Sequence, residues 1–259
     1  IQKFSNDELV VVDVPVTAAS MLSIEMKDAD GTPIPELKNV KANRVIIVVT
    51  DALGCWMLEE VERKHELTAL GRGDYNYEAI TVYPSVTPTV IASIVTGYFP
   101  HRHSVLGKNN LVISQKCKLL PEIARERGLK SGTVAWSTSS VTRLVSGKAN
   151  VKVICKGDEE VYGNAVKLIR QGDINVLYVH FLSIDWYGHR HGPLSEKAVE
   201  AIVKVDKYVD KIVREAERDG NSVVFVLSDH GMHYTQADKG DHGLPMPEDM
   251  LIPLSVFIT

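Results

Sequence analysis

The chain has 259 residues, 44% of them hydrophobic and 24% charged, with a formal net charge of −4 and a pI of about 6.2. That length holds one large α/β domain or two small ones with a sizeable core, and the acidic balance argues against a nucleic-acid backbone binder, which carries a basic stripe. Three cysteines, Cys55, Cys117 and Cys155, are odd in number and lack a CxxC spacing, so neither a disulfide framework nor a thiolate zinc site is expected. No signal peptide and no apolar run long enough to span a bilayer is present, which points to a reducing, cytoplasmic setting. The start at Ile1 and the end in the apolar run 254–258 leave open that this is a piece of a longer protein with a signal or anchor elsewhere.

In chain order, residues 1–41 read as an N-terminal arm packed on the core, with a strand over 9–14 and a loop or short hairpin over 28–36 around Gly31, Pro33 and Pro35. Residues 42–259 form the main domain. The run RVIIVVT over 44–50 predicts a strand buried on both faces, ending at Asp51. A helix to about Leu70 follows, with Met57, Leu58 and Val61 inward and Glu60/Lys64 as an exposed pair. Asp51 reads either as a helix N-cap or as a ligand at a strand end. Gly71-Arg72-Gly73 lacks the third Gly and the preceding strand of a dinucleotide loop.

A short strand over 79–83 leads to Pro84-Ser85-Val86-Thr87-Pro88 and a buried helix over 89–95, closed near Gly97. Pro88 at the first helical position makes Thr87 the N-cap, over free backbone N–H groups and the positive end of the helix dipole, where a phosphate is stabilised. A hydroxyl there also serves simply as a cap. Residues 117–127 predict a helix closed by Gly128; 131–136 and 151–154 predict strands; Asp158 caps a helix through Ile169; none of these shows convergent polar residues. The strand 175–182 delivers Asp185 and His189 on a loop containing Gly188, Gly192 and Pro193, with His180 a core histidine and His191 facing solvent. Ser195 caps a long amphipathic helix whose inner face is Val199, Ile202, Val203, Val209, Ile212, Val213 and Ala216. The buried strand 223–227 then runs into Ser228-Asp229-His230-Gly231, and Asp241-His242-Gly243 follows. Two Asp-His pairs at strand ends, where open α/β sheets bind ligands, suggest metal. The fold class is α/β: a largely parallel central sheet with helices on both faces.

Pro84-Ser-Val-Thr87, with Ile-Val-Thr-Gly97 and Pro100-His-Arg-His103 beyond it, resembles the nucleophile segment of the type I phosphodiesterase/nucleotide pyrophosphatase family of the alkaline phosphatase superfamily. Asp51, the segment from Asp185 to Pro193, Asp229-His230-Gly231 and Asp241-His242-Gly243 recur in the family's order, and the resemblance covers 44–258. It implies an alkaline phosphatase-like fold with minimal cap insertion. It implies also two divalent cations, zinc first and manganese or iron as alternatives, one held by Asp51, Thr87, Asp229 and His230 and the other by Asp185, His189 and His242. Paired metals of this kind sit about 4 Å apart and clamp the oxygens of an in-line displacement at phosphorus. The implied activity is a phosphodiesterase or nucleotide pyrophosphatase acting on a small phosphodiester or nucleotide through a covalent phosphothreonine at Thr87. A phosphomonoesterase, phosphonate hydrolase or phosphoethanolamine transferase is the alternative, and a non-catalytic metal-stabilised protein a distant one. The family's phosphoryl-contacting Asn falls in the register of Lys108, so that role passes to Asn109, with Asn110 beside it. The span from His230 to His242 is short where nucleotide-specific relatives carry an insertion. Tyr98, Phe99, Trp186 and Tyr187 are the aromatic candidates for the leaving-group pocket, Tyr98 and Trp186 foremost.

Overall fold

Continuous β-branched runs bury both faces of the central sheet and so decide where everything else packs. The computed structural model describes residues 8–259. Its strands are β1 (Arg44–Thr50), β2 (Tyr75–Ile80), β3 (Ser131–Trp136), β4 (Val151–Cys155), β5 (Val176–Phe181), β6 (Ser222–Leu227), β7 (His233–Tyr234), β8 (Gly240–Asp241) and β9 (Leu251–Ile258). Its helices are α1 (Asp13–Met21), α2 (Cys55–Glu62), α3 (Thr87–Thr96), α4 (Pro100–His103), α5 (Leu120–Glu126), α6 (Ser140–Leu144), α7 (Asp158–Gln171), α8 (Ser183–His191), α9 (Glu196–Asp219) and α10 (Pro247–Met250). Seven strands form one sheet in the order β2-β9-β6-β1-β5-β3-β4, while β7 and β8 pair separately. Only β9 runs against the others, between β6 and β2, so the sheet is largely parallel as expected.

Period-two alternation sends the side chains of β1 to two layers. Val45, Ile47 and Val49 join one apolar cluster with Val14, Ile91, Leu120 and Val141, from α1, α3, α5 and α6. Ile46 and Val48 join the other, with Met57, Val161, Ile184 and Ile202, from α2, α7, α8 and α9. Helices therefore cover both faces. Each fully buried Val or Ile contributes about 1.5–3 kcal/mol, and truncating one such as Ile47 to Ala would cost about 2–5 kcal/mol. Ser195 caps α9 as expected, its Oγ accepting the Ala198 N–H at 3.3 Å. No helix among the described residues is long and apolar enough to cross a membrane.

The arm differs from its sequence reading. Instead of a strand over 9–14, Val10 makes a single bridge to Ile80 and the chain turns into α1. The Asp13 carboxylate directs this by accepting the N–H groups of Val10 (2.9 Å) and Thr32 (2.7 Å), an acidic group at a helix start. Residues 28–36 form a loop that runs into a 3₁₀ turn at Pro35–Leu37. Val11, Val14, Ala18 and Met21 pack into the same layer as the sheet, and residues 1–7 of the arm lie outside the described residues. Helix α2 stops at Glu62 rather than near Leu70, and Glu60 pairs with Arg63 instead of Lys64. The strand expected over 79–83 lies earlier, as β2, where Tyr75 to Ile80 pair with β9.

Candidate active site

Register brings the site together. Val49 pairs with Leu227 and Thr50 with Phe181, so β1, β6 and β5 release their next residues at one edge of the sheet. Asp51 leaves β1 there, its N–H donating to Phe181 O at 3.1 Å, and Ala52 takes a left-handed backbone (φ 66°). That unusual conformation for a residue with a Cβ turns the Ala52 N–H onto Asp229 Oδ1 at 3.2 Å. Ser228 braces the two loops, accepting the Leu53 N–H at 2.8 Å, with its Oγ 2.6 Å from Thr50 O. Gly231 permits the close approach of the segment before β9: a Cβ there would lie 1.9 Å from Glu248 O.

Two adjoining donor clusters result. In the first, Thr87 Oγ1 lies 3.2 Å from His230 Nε2 and 3.5 Å from Asp51 Oδ1. His230 Nε2 is in turn 3.5 Å from both Asp51 Oδ1 and Asp229 Oδ2. In the second, Asp185 Oδ1 is 3.1 Å from His189 Nε2 and 3.6 Å from His242 Nε2. The rings of His230 and His242 stack with centroids 3.9 Å apart, which joins the two clusters. Ligand bonds of about 2.0–2.2 Å around a tetrahedral ion place donor atoms about 3.3–3.6 Å from one another, the spacing seen in both clusters. The donors' other contacts agree. His189, His230 and His242 turn Nδ1 to the carbonyls of Gly240 (2.9 Å), Gly231 (2.9 Å) and Ser85 (3.1 Å). A carbonyl only accepts, so each hydrogen sits on Nδ1 and each Nε2 keeps a lone pair for an ion. Asp185 Oδ1 and Asp229 Oδ2 are buried without any hydrogen-bond partner, a cost that a cation removes. The residues fit a pair of divalent cations.

Crowding shapes the electrostatics. Burial, then the charges of Asp229 and Asp185, hold the Asp51 carboxyl well above the usual range, and burial pushes Asp229 to about 6. Burial also raises Asp185, but the adjacent His189 imidazole, with those of His230 and His242, outweighs that and leaves it lowered. His230 is pushed down to about 4 and His242 to about 3, in both cases chiefly by burial, so both imidazoles are neutral, the form that ligates.

Three sequence expectations change on inspection of this edge. Thr87 is the first residue of α3, not its N-cap: Val86 is extended (φ −127°), and the N–H groups of Thr89 and Val90 return to Val86 O. The Thr87 hydroxyl is thereby freed from capping and faces His230 and Asp51. Asp185 and His189 lie on a helix, α8, not on a loop, and their four-residue spacing puts both on one face. Gly188 sits within that helix because Met232 packs against it and leaves no room for a side chain; a Cβ there would meet Met232 Sδ at 2.4 Å. The middle of the chain is also not free of site residues. His180, expected as a plain core histidine, puts Nε2 3.2 Å from Asp51 Oδ2, and Ser139, at the start of α6, contacts its Nδ1 at 2.6 Å. No local signal in the sequence marks that pair; only the β3–β5 pairing brings it together.

The substrate candidates are placed less uniformly. Asn109 is exposed on the tight turn 107–110, and Asn110 is used within that loop, its Nδ2 donating to Ser104 O at 3.3 Å. Neighbouring Lys108 is also exposed on this turn, and its positive charge weakly opposes the upward shift of Asp51 and adds to the downward shift of His230. Tyr98 is turned away into the N-terminal segment, with its hydroxyl on Lys27 O and its ring under the Arg102 guanidinium, which leaves almost no face for a ligand. Trp186 is 38% exposed beside Asp185, with Arg190 stacked 3.7 Å over its ring and Tyr187 against its edge. Phe99 lines an open apolar cavity of about 540 Å³ with Val82, Tyr83, His101 and Leu106.

Residues 45–251 match the family described as type I phosphodiesterase/nucleotide pyrophosphatase. Human GPI ethanolamine phosphate transferase 2, catalytic subunit, is 24% identical over 82% of this chain, and this chain spans 23% of that protein. Murine ectonucleotide pyrophosphatase/phosphodiesterase 5 shares the fold, with a TM-score of 0.58 and 17% identity over 75% of this chain and 59% of that one. So does the C-terminal periplasmic domain of EcEptC from Escherichia coli, in complex with Zn, with a TM-score of 0.58 and 12% identity over 84% of this chain and 73% of that one. The chain belongs to the type I phosphodiesterase/nucleotide pyrophosphatase family, an enzyme family of phosphoryl transfer.

Proposed function

We propose that this chain is a two-cation phosphodiesterase or nucleotide pyrophosphatase that works through a covalent phosphothreonine at Thr87. The observation that carries the reading is the Thr87 hydroxyl itself, which caps no helix and faces the first donor cluster, 3.2 Å from His230 Nε2 and 3.5 Å from Asp51 Oδ1. Asp51, Thr87, Asp229 and His230 would hold one divalent cation, zinc by the chemistry of the donor set, and Asp185, His189 and His242 the other. When bound, such cations lower the pKa of a neighbouring hydroxyl and offset the charge of phosphoryl oxygens.

The residues then divide the work. Thr87 Oγ1 gives up its proton to solvent and attacks phosphorus, the bond from phosphorus to the leaving oxygen breaks and that oxygen leaves as an anion or takes a proton from solvent, and the new ester rests on the first turn of α3, whose N-terminus favours negative charge. The 107–110 turn would serve a phosphoryl oxygen, Asn109 as a hydrogen-bond donor and Lys108 as a positive charge. Water attacks the same phosphorus in a second step, the bond to Thr87 Oγ1 breaks, and the free hydroxyl is restored. The Nδ1 hydrogen bonds of His189, His230 and His242 to backbone carbonyls keep the three rings from turning during both steps.

Metal analysis, with bis-ester and mono-ester nitrophenyl phosphates compared side by side, tests the reading: two cations per chain and preference for the bis-ester are expected. Thr87→Ala should lose at least about 10³-fold in turnover while keeping both cations, since one ligand of four is removed from one site only. Near-normal turnover in that variant would end the covalent reading. A second reading, transfer of phosphoethanolamine to an alcohol, draws on the short His230–His242 span, which folds as the small β7–β8 hairpin, and on the similarity to a GPI ethanolamine phosphate transferase. It predicts an alcohol-trapped product in preference to hydrolysis.

A further inference from the structure

His180 is a fourth buried imidazole at this edge, and it differs from the other three in what holds its Nδ1. Those of His189, His230 and His242 face carbonyl oxygens, but that of His180 meets Ser139 Oγ at 2.6 Å. The same oxygen already accepts the Val141 N–H at 3.0 Å, as the cap of α6. Ser139 is buried, so its hydroxyl hydrogen needs an acceptor inside the protein, and His180 Nδ1 is the one within reach among the described contacts. The hydroxyl therefore donates to Nδ1, and the ring's own hydrogen sits on Nε2. That Nε2 lies 3.2 Å from Asp51 Oδ2, and neither atom has another hydrogen-bond partner.

Distance alone would admit His180 to the ligand set, since Asp51, His180 and Asp229 offer donor atoms within 4.8 Å of one another. A nitrogen that carries hydrogen has no lone pair to give, and the tautomer decides against it. We infer that Ser139 and His180 form a positioning pair that fixes the Asp51 carboxylate from its outer oxygen, and that His180 is not itself a ligand. The two oxygens of Asp51 are divided accordingly: Oδ2 faces His180, while Oδ1 faces Thr87 and His230. Turning the carboxylate would spoil the Thr87 side, and the His180 contact is what resists the turn. The inference rests on the two-cation reading above.

The test uses the whole chain, stripped of metal and titrated with zinc against a competing chelator, together with ¹⁵N spectra of the imidazoles in the zinc-loaded wild type. His180→Phe is expected to take up as many zinc ions per chain as the wild type at saturation but to hold one of them about 10–100-fold more weakly, the usual effect of losing an outer partner of a ligand. His180→Gln, which keeps an N–H donor, should recover part of that loss, and Ser139→Ala should lose less than His180→Phe. The wild-type spectrum should put the His180 hydrogen on Nε2. One zinc ion fewer in His180→Phe would make His180 a ligand and overturn the inference, as would unchanged affinity or a hydrogen on Nδ1; the spectrum decides even where a variant does not fold. Wild-type uptake of fewer than two zinc ions would instead overturn the two-cation reading.

Discussion

Asp51 and Asp206 are both aspartates with almost no exposed surface (0% and 1%), and their surroundings are opposite. Asp206, on α9, accepts the N–H groups of Thr68, Ala69 and Leu70 and the Thr68 hydroxyl, each at 2.9 Å, and so pins the segment after α2 to the long helix. Among the described residues Asp51 accepts no backbone N–H, its outer oxygen faces only the His180 ring at 3.2 Å, and it stands among two further carboxylates. Of seven buried side-chain atoms without partners among the described residues, four belong to Asp51, Asp185, Asp229 and His180, so the deficit is concentrated at one edge of the sheet. Asp206, which serves the fold, is fully satisfied, whereas the concentration of unsatisfied charged and imidazole groups marks the site.

Exchanging the two aspartates' charges breaks the comparison most sharply. Asp51→Asn should reduce turnover by at least about 10³-fold, yet raise the thermal stability of the metal-free protein, because it removes a crowded buried acid. Asp206→Asn should do the reverse. It weakens several charge-assisted hydrogen bonds and should cost about 1–3 kcal/mol in denaturant unfolding while kcat stays within a factor of two. Equal stability losses in both variants would show that the two regions are not different in kind.

A smaller effect is expected from pH. Burial pushes His103, His180 and His230 down to about 4 and His242 to about 3, whereas imidazoles of the unfolded chain titrate near 6.5. Between pH 4 and 6.5 the unfolded chain thus binds protons that these four refuse, and stability falls as pH falls through that window. Asp229, raised to about 6, and Asp51 and Asp13, also raised chiefly by burial, act in the opposite sense, since the folded chain keeps their protons. Four buried imidazoles against three raised carboxyls leave the Tm of the metal-free protein rising from pH 4.5 to 6.5; a falling Tm there would mean that the carboxylates dominate. The smallest effect is that of Trp186→Ala, a few-fold rise in KM for aryl or nucleotide esters with kcat unchanged, measured beside an alkyl ester that should not respond.

The same contrast explains what was legible in the sequence. The sheet was readable because runs such as RVIIVVT admit only a strand buried on both faces, and Asp51, Asp229 and His230 could be placed because they directly follow such runs. Helix α8 was not, because Gly188 reads as a breaker until Met232, 44 positions later in the chain, is seen packed on it. His180 was not, because a histidine within an apolar strand carries no mark of its partner, and Ser139 reaches it only through the pairing of β3 with β5. Thr87 was found but placed one position early, as a cap, because its capping reading depends on where Val86 bends.

The covalent route through Thr87 is the central claim, and the stereochemical course at phosphorus tests it most directly. A chiral phosphorothioate diester hydrolysed in isotopically labelled water should give product with net retention, the result of two successive in-line displacements. Inversion would mean that water attacks the substrate directly, and would contradict the account.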